Sequence, residues 1–147
     1  MFKMKENIVP IAMGELGTSE NPAGSNMQRY GEWYGNNGVA WCAIFVSWVY
    51  HKAGIAWPKK LETDKGFAWC PTLQIRAKQN EWVTIAPEAG DIVLFDWEGD
   101  TKPDHAGIFK RWLKIGITFE TIEGNTPHGV KLMERKLSQV LMFVKVC

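Results

Sequence analysis

Residues 41–53 of this 147-residue chain have the sequence WCAIFVSWVYHKA, and this stretch decides the fold. Cys42, Phe45 and Val49 recur at helical spacing, and neighbouring tryptophans widen the apolar stripe that they form. Gly54 follows directly, and glycine is the residue that most often comes just after a helix. The pattern therefore predicts a largely buried helix, which the rest of the chain must cover.

The chain changes its pattern near the middle. Helices are also predicted over 6–17, 27–34 and 69–80. After them come short runs rich in β-branched and aromatic residues, separated by turn sequences, at 82–85, 91–97, 105–112, 117–122, 130–135 and 140–146. Helices followed by strands predict an α+β fold, with N-terminal helices packed on an antiparallel sheet of about six strands.

Length and composition restrict the class of protein. A chain of 147 residues suits one core, so we expect a single domain over residues 1–147, acting as a monomer. The net charge of +1, with both signs interspersed, argues against nucleic acid as a partner. No apolar run reaches the length of a membrane span, and the N-terminus lacks a signal-peptide pattern. A target outside the cell would therefore require release by lysis, by a holin or by a secretion system.

The three cysteines are Cys42, Cys70 and Cys147. Their number and spacing argue against a disulfide framework and against a zinc site, and neither Cys70 nor Cys147 has a catalytic partner nearby in sequence. Cys42 falls in the first turn of the predicted helix, where the helix dipole favours a thiolate and a free backbone N–H can bind an oxyanion. A buried structural cysteine would also explain its apolar position.

Among the three histidines, His105 is the candidate base. His51 lies nine residues from Cys42 on the same helix, about 13 Å away at ~1.5 Å per residue, and His128 lies in a Pro-His-Gly turn. His105 opens a predicted strand, and the small residues after it leave room for a substrate or a helix. A lone histidine there is often structural, but a helix-start cysteine elsewhere favours a Cys-His couple.

Glu123 is the candidate that orients His105. In the strand that it ends, Ile117 and Phe119 lie on the same face as Glu123, and they predict that this face is buried. A buried carboxylate needs a partner, whereas Glu120 lies on the opposite face and is expected to be solvated. Asn125 is a second candidate for the same role, although it is equally suited to form a turn.

Five blocks of the sequence form a recognisable series. In chain order they are Tyr30-Gly31-x-Trp33-Tyr34-Gly35, Trp41-Cys42-Ala43-x-Phe45-Val46-Ser47-Trp48, Gly90-Asp91-Ile92-Val93-Leu94-Phe95, Asp104-His105-Ala106-Gly107-Ile108 and Ile122-Glu123-Gly124-Asn125-Thr126. Together these blocks resemble the CHAP family of cysteine, histidine-dependent amidohydrolases and peptidases. The family has a papain-like fold and is common in phage endolysins and bacterial autolysins. The resemblance implies Cys42 as nucleophile, His105 as general base and Glu123 as orienter, with Asn125 nearby, and bacterial peptidoglycan as substrate.

Two departures limit what the resemblance implies. Many relatives have glutamine where this chain has Trp41, and some have a calcium-binding run of aspartates that residues 26–32 lack. A separate acidic loop holds Asp96, Glu98, Asp100 and Asp104. It lacks the glycine and glutamate of a helix–loop–helix calcium site at Thr101 and Gly107, so we expect a solvated loop, with no metal and no cofactor.

The expected activity is hydrolysis of an amide bond in cell-wall peptide, as an N-acetylmuramoyl-L-alanine amidase or an endopeptidase acting on the cell wall. The sequence does not choose between these bonds, nor between a lysin, an autolysin and a delivered antibacterial toxin. Two alternatives are a papain-like peptidase for ordinary protein and a non-catalytic wall-binding module that uses some of the eight tryptophans.

Overall fold

Residues 4–147 are described by a computed structural model. Residues 1–3 lie outside the described part of the chain. They include the start of the expected domain and the first positions of the N-terminal region that lacks a signal-peptide pattern. A short 3₁₀ turn, Met4–Asn7, leads into four helices: α1 (Ile8–Met13), α2 (Arg29–Tyr34), α3 (Cys42–Lys52) and α4 (Cys70–Gln79). No helix among residues 4–147 is long and apolar enough to cross a membrane.

The first helix is shorter than the sequence predicts. The predicted segment 6–17 begins within the 3₁₀ turn, and α1 ends at Met13. Gly14 and Gly17 follow, and Gly17 has a φ of 91°. Glycine loses much backbone freedom inside a helix, so this part of the segment turns away instead of continuing the helix.

Six strands form one antiparallel sheet, as predicted. They are β1 (Val83–Thr84), β2 (Ile92–Phe95), β3 (His105–Lys114), β4 (Thr118–Glu123), β5 (Lys131–Lys136) and β6 (Val140–Val144). Their spatial order is β1-β6-β2-β3-β4-β5, and each neighbouring pair is antiparallel. The strands lie after all four helices in sequence, which confirms the predicted α+β arrangement.

Both faces of the sheet are covered by apolar side chains. On β2, Ile92 and Leu94 join the large core formed with the helices, whereas Val93 and Phe95 join a smaller cluster on the opposite face. The other buried members of the smaller cluster are Phe109, Phe119 and Phe143. Alternate residues of a strand point to opposite faces, so β2 is buried throughout and has no polar face.

Helix α3 lies at the centre of the large core. Eight of its eleven residues are buried, and it packs against β3 and against helices α1 and α2. Its start also touches the end of the sheet, because Gly124 lies against Trp41 and Phe45, and a Cβ there would lie 2.7 Å from Cβ of Phe45. This close approach brings the residue that follows β4 next to the first turn of α3.

Candidate active site

Cys42 is the first residue of α3, and its side chain is almost fully buried. The preceding Trp41 makes no side-chain hydrogen bond to cap the helix. The first N–H groups of a helix have no partner within the helix, so they remain available to bind an anion beside the Cys42 sulfur. The predicted position of Cys42 at a helix start is confirmed.

His105 is the first residue of β3, and its side chain is 11% exposed. Its Nε2 atom lies 2.8 Å from Oε1 of Glu123. The other ring nitrogen, Nδ1, therefore remains for the hydrogen bond that links His105 to Cys42. The structure thus brings together three of the residues that the sequence singled out.

The pKa values of Cys42 and His105 are shifted toward the charged forms. A hydrogen bond from the Cys70 thiol lowers the pKa of Cys42; burial opposes this effect, but His105 lowers the pKa further, to well below its ordinary value. Burial alone would lower the pKa of His105, but its bonds and attraction to Cys42 and Glu123 raise it to about 9. These opposite shifts favour a thiolate–imidazolium pair at neutral pH.

Glu123 is fully buried and has three side-chain partners besides Thr126. His105 bonds to Oε1, Thr121 donates its hydroxyl to Oε2, and Arg135 donates Nε to Oε2 at 2.9 Å and Nη2 to Oε1 at 2.5 Å. Burial alone would raise the pKa of Glu123, but the bonds from Arg135 and His105 lower it to about 2. The carboxylate is therefore charged across the working range of pH.

Gly107 makes space for this carboxylate. A Cβ atom at position 107 would lie 2.8 Å from Cγ of Glu123, closer than unbonded carbon atoms approach. The two small residues after His105 were expected to admit a substrate or a helix. The second of them, Gly107, instead admits the side chain of Glu123, and the first, Ala106, lies in the core beneath the helices.

The face of β4 that holds Glu123 is buried, as predicted, but Ile117 does not belong to it. Ile117 precedes the strand and is half exposed, whereas Phe119 and Glu123 are fully buried. Glu120 is not freely solvated either: Arg111 and Lys110 lie 2.7 and 3.3 Å from its Oε1. The prediction for Ile117 is wrong because β4 begins one residue later than expected. The prediction for Glu120 is wrong because the neighbouring β3 supplies cations to the outer face of β4.

Asn125 has a left-handed backbone, with φ of 59°, and its side chain makes no hydrogen bond to any residue between 4 and 147. Thr126 is the residue of this turn that reaches the site. Its hydroxyl lies 3.4 Å from Oε1 of Glu123 and 3.5 Å from Nε2 of His105. The geometry therefore connects Thr126, and not Asn125, with the His105–Glu123 bond.

Cys70 is a neighbour of Cys42 that the sequence did not reveal. It is the first residue of α4, and its Sγ lies 4.0 Å from Sγ of Cys42. Its bond to Cys42 and its burial raise the pKa of Cys70 well above the ordinary value, so it stays a thiol and can donate. No catalytic partner lies near Cys70 in sequence, so the spacing did not predict this contact; Cys147 is exposed.

The remaining histidines lie apart from this pair. His51, near the C-terminal end of α3, packs on Trp33 with ring centres 5.1 Å apart. His128 is largely exposed, and its Nδ1 lies 3.3 Å from Oε1 of Glu20; the other carboxylate oxygen, Oε2, accepts the indole N–H of Trp41. Neither histidine is placed to exchange a proton with Cys42.

The acidic loop brings Asp96, Asp100 and Asp104 together, with carboxylate oxygens within 4.8 Å of one another. These three are the residues between 4 and 147 whose spacing could suit a cation. Their oxygens already accept backbone N–H groups of the loop: Asp96 from three residues and Asp104 from Trp97 at 2.7 Å. These bonds explain the cluster as a loop-forming device.

Aromatic rings lie beside His105. Phe95 and Trp97 stack with ring centres 4.8 Å apart, and each ring centre lies 5.9 Å from that of His105. Trp97 is partly exposed, and Trp69, which directly precedes Cys70, is 65% exposed. An extended ligand that reached Cys42 would therefore meet exposed indole rings near the reacting atoms.

The sequence model of the CHAP domain matches residues 33–125, which include Cys42, His105 and Glu123. The chain belongs to the CHAP domain family. No curated protein matches this CHAP domain in sequence.

Solved structures share the fold of this CHAP domain at low sequence identity. The peptidoglycan hydrolase RipB of Mycobacterium tuberculosis has 14% identity and a TM-score of 0.54, over 97% of this chain and 64% of RipB. RipD of the same organism, a non-catalytic NlpC/p60 domain protein adapted to peptidoglycan binding, has 11% identity and a TM-score of 0.52, over 99% and 98%. Ly7917 has 14% identity and a TM-score of 0.54, over 97% and 62%. The CHAP domain thus spans less than two thirds of RipB and Ly7917, and these likenesses establish a papain-like fold.

Proposed function

We propose that this CHAP domain hydrolyses an amide bond of bacterial peptidoglycan, with Cys42 as nucleophile, His105 as acid and base, and Glu123 as the residue that orients His105. The observation that carries the proposal is the buried chain of contacts from Cys42 through His105 to Glu123. It joins a helix-start thiolate to an imidazolium whose far nitrogen is held at 2.8 Å by a carboxylate.

The reaction would be acyl transfer to water. The Cys42 thiolate attacks the amide carbonyl, and the free N–H groups at the start of α3 stabilise the oxyanion. The imidazolium of His105 gives the proton on Nδ1 to the leaving amine, which leaves a thioester on Cys42. A water molecule, deprotonated by His105, then attacks the thioester, and the acid product departs with the thiolate restored.

The substrate class is supported by the family and by the printed activities of fold relatives. RipB is a peptidoglycan hydrolase, and RipD binds peptidoglycan. The exposed indole ring of Trp97 beside His105 suits the stacking of sugar rings or flat peptide groups. We propose that the chain acts as a single catalytic domain and as a monomer at the cell wall, on either the muramoyl–alanine bond or a peptide bond of the stem or cross-bridge.

Binding without hydrolysis is the second candidate function, because RipD has the same fold and is non-catalytic. The arrangement of Cys42, His105 and Glu123 favours hydrolysis over this alternative. A binding module would have no need for a thiol whose pKa is held low beside a buried ion pair.

The test is digestion of purified peptidoglycan of both Gram-negative and Gram-positive type, followed by mass spectrometry of the released fragments. We expect new muropeptide or peptide ends with the wild type and none with Cys42→Ala. The mass of the fragments identifies the bond, and casein tests for activity on ordinary protein. Sedimentation of the protein with peptidoglycan, without any released fragment, would support binding and contradict hydrolysis.

A further inference from the structure

Arg135 is an ionised residue of the site that the proposed mechanism does not use. It lies near the end of β5, where it pairs with Phe119 of β4, and its side chain is 16% exposed. Its Nε and Nη2 atoms approach different oxygens of Glu123, at 2.9 and 2.5 Å. This two-point contact fixes the plane of the carboxylate as well as its position.

Aromatic rings hold the guanidinium in place. Its carbon lies 4.9 Å from the ring centre of Trp97 and 5.4 Å from that of Phe95. Both rings also lie beside His105. Stacking on aromatic faces limits the rotamers of an arginine, so its charge stays at a fixed distance from the imidazole.

Arg135 and His105 share one carboxylate oxygen. Oε1 of Glu123 accepts Nη2 of Arg135 at 2.5 Å and Nε2 of His105 at 2.8 Å. Arginine remains charged at every working pH, so one cation is always present at this oxygen. Arg135 therefore neutralises part of the negative charge of Glu123 and weakens the attraction of Glu123 for protonated His105.

We propose that Arg135 is a positioning residue, which fixes Glu123 and limits the charge that Glu123 presents to His105, so that the imidazolium can release its proton to the leaving amine. This inference rests on the proposed function for its catalytic meaning. Its electrostatic part concerns His105 alone and can be measured without any substrate.

The groups that face His105 come from several elements. Cys42 of α3 and Glu123 of β4 bond to the ring, Arg135 of β5 acts through Glu123, and Cys70 of α4 acts through Cys42. Asp104 precedes His105 in the chain, and its carboxylate accepts the N–H of Trp97. Among them, Arg135 is the permanent cation, and removing it should make protonated His105 more stable.

The experiment is an NMR pH titration of the His105 ring in the Cys42→Ala background, which removes the coupled thiolate. Variants His51→Gln and His128→Gln assign the three histidine signals. With Arg135→Gln we expect the midpoint of His105 to rise by on the order of one pH unit. Arg135→Lys keeps the charge but loses the two-point contact, and we expect a smaller rise.

Lys131→Gln is the matched control, because Lys131 lies directly opposite Glu123 in the strand register but is exposed. It should leave the midpoint unchanged. An unchanged midpoint in Arg135→Gln, or a fall, would overturn the inference. If Arg135→Gln does not fold, as judged by circular dichroism, the His105 midpoint in Arg135→Lys decides. A midpoint above that of the protein with Arg135 supports the inference, and an equal midpoint contradicts it.

Kinetics on peptidoglycan test the catalytic part. With Cys42 present, we expect Arg135→Gln to lower kcat roughly tenfold or more, with KM nearly unchanged, because the guanidinium is directed at Glu123 and the proposed role gives it no contact with substrate. A raised KM with unchanged kcat would show that Arg135 binds substrate and would overturn the positioning role. A wild type without hydrolytic activity would refute the proposed function and would leave the titration result standing.

Discussion

Nε2 of His105 lies 2.8 Å from Oε1 of Glu123, so the carboxylate determines which nitrogen of the imidazole is left to serve Cys42. In the proposed mechanism, Nδ1 is therefore the atom that donates to the thiolate and later to the leaving amine. The same bond helps to raise the pKa of His105 to about 9, while burial opposes that rise. Glu123 thus affects both the orientation of the His105 ring and its charge, and Cys42 also contributes to the charge.

Removal of the carboxylate charge should impair both properties. We expect Glu123→Gln to lower kcat by roughly a hundredfold and to leave a folded domain. Glu123 raises the pKa of His105, so its loss should lower that pKa, and the alkaline limb of the pH–rate profile should move to lower pH. The limb belongs to the Cys42–His105 couple, since the two groups titrate together.

Glu120→Gln is the control, because Glu120 pairs with Arg111 and Lys110 away from His105. It should keep the wild-type profile. Asn125→Ala should have a smaller effect than Glu123→Gln, since no hydrogen bond within residues 4–147 ties its side chain to the site. Equal activity in Glu123→Gln and Glu120→Gln would show that another residue orients His105.

The nucleophile is tested by Cys42→Ala and Cys42→Ser. Both should lower peptidoglycan hydrolysis by more than roughly a thousandfold while circular dichroism stays unchanged, because neither side chain supplies a thiolate. Turbidity loss of a cell-wall suspension gives the rate. Cys147→Ala should remain fully active, since Cys147 is exposed and lies outside the site. Hydrolysis by Cys42→Ala would rule out the mechanism.

Cys70→Ala should change the reactivity of Cys42 without abolishing it. The bond from Cys70 lowers the pKa of Cys42, so its loss should raise that pKa. The pH profile for alkylation of Cys42 by iodoacetamide, followed by peptide mass spectrometry, should therefore shift to higher pH. Cys147→Ala serves as the comparison. Superimposable profiles for the two variants would mean that the 4.0 Å contact has no electrostatic effect.

Chelator treatment tests the acidic loop. The oxygens of Asp96 and Asp104 already accept loop N–H groups, so we expect dialysis against a chelator to leave the hydrolysis rate unchanged. The rate is measured before and after dialysis, and again after calcium is added. A loss that calcium alone restores would show that Asp96, Asp100 and Asp104 hold an ion that activity needs.

Gly107→Ala tests the space reserved for Glu123. The new Cβ would lie 2.8 Å from Cγ of Glu123 and would force the carboxylate to move. We expect kcat to fall roughly tenfold or more and the domain to lose about 1–3 kcal/mol of stability, the usual cost of overpacking. Urea unfolding gives the stability. Gly14→Ala, where a Cβ would meet only ordinary contacts, should change neither quantity; an equal loss there would refute the steric explanation.

Sequence reasoning succeeded where the physical rule was local. The apolar stripe of 41–53 predicted α3 within one residue at each end, and the cost of burying a carboxylate predicted that Glu123 needs a partner. The order of helices and strands predicted the fold. In each case the prediction depended only on residues close together in sequence.

Sequence reasoning failed where three-dimensional packing decided. Cys70 lies 28 residues from Cys42, and the two sulfurs meet because the first residues of α3 and α4 lie side by side in the fold. Arg135 reaches Glu123 because β5 pairs with β4 in a particular register, which the turn between them sets. The sequence did contain a signal, since a buried glutamate, Glu123, precedes a strand that carries an arginine, Arg135. The spacing of the two residues alone did not identify them as a pair.

The contact of Gly124 with Trp41 and Phe45 is expected to make the candidate active site sensitive to early steps of unfolding. Cys42 belongs to the helical layer, whereas His105 and Glu123 belong to the sheet, and this tight contact is one of the places where the two layers meet. A slight separation of the layers would part the sulfur from the imidazole long before helices or strands melt. Activity should therefore be lost at a lower urea concentration than the circular dichroism signal of the helices and strands. The hydrolysis rate would then report on the packing between the helices and the sheet.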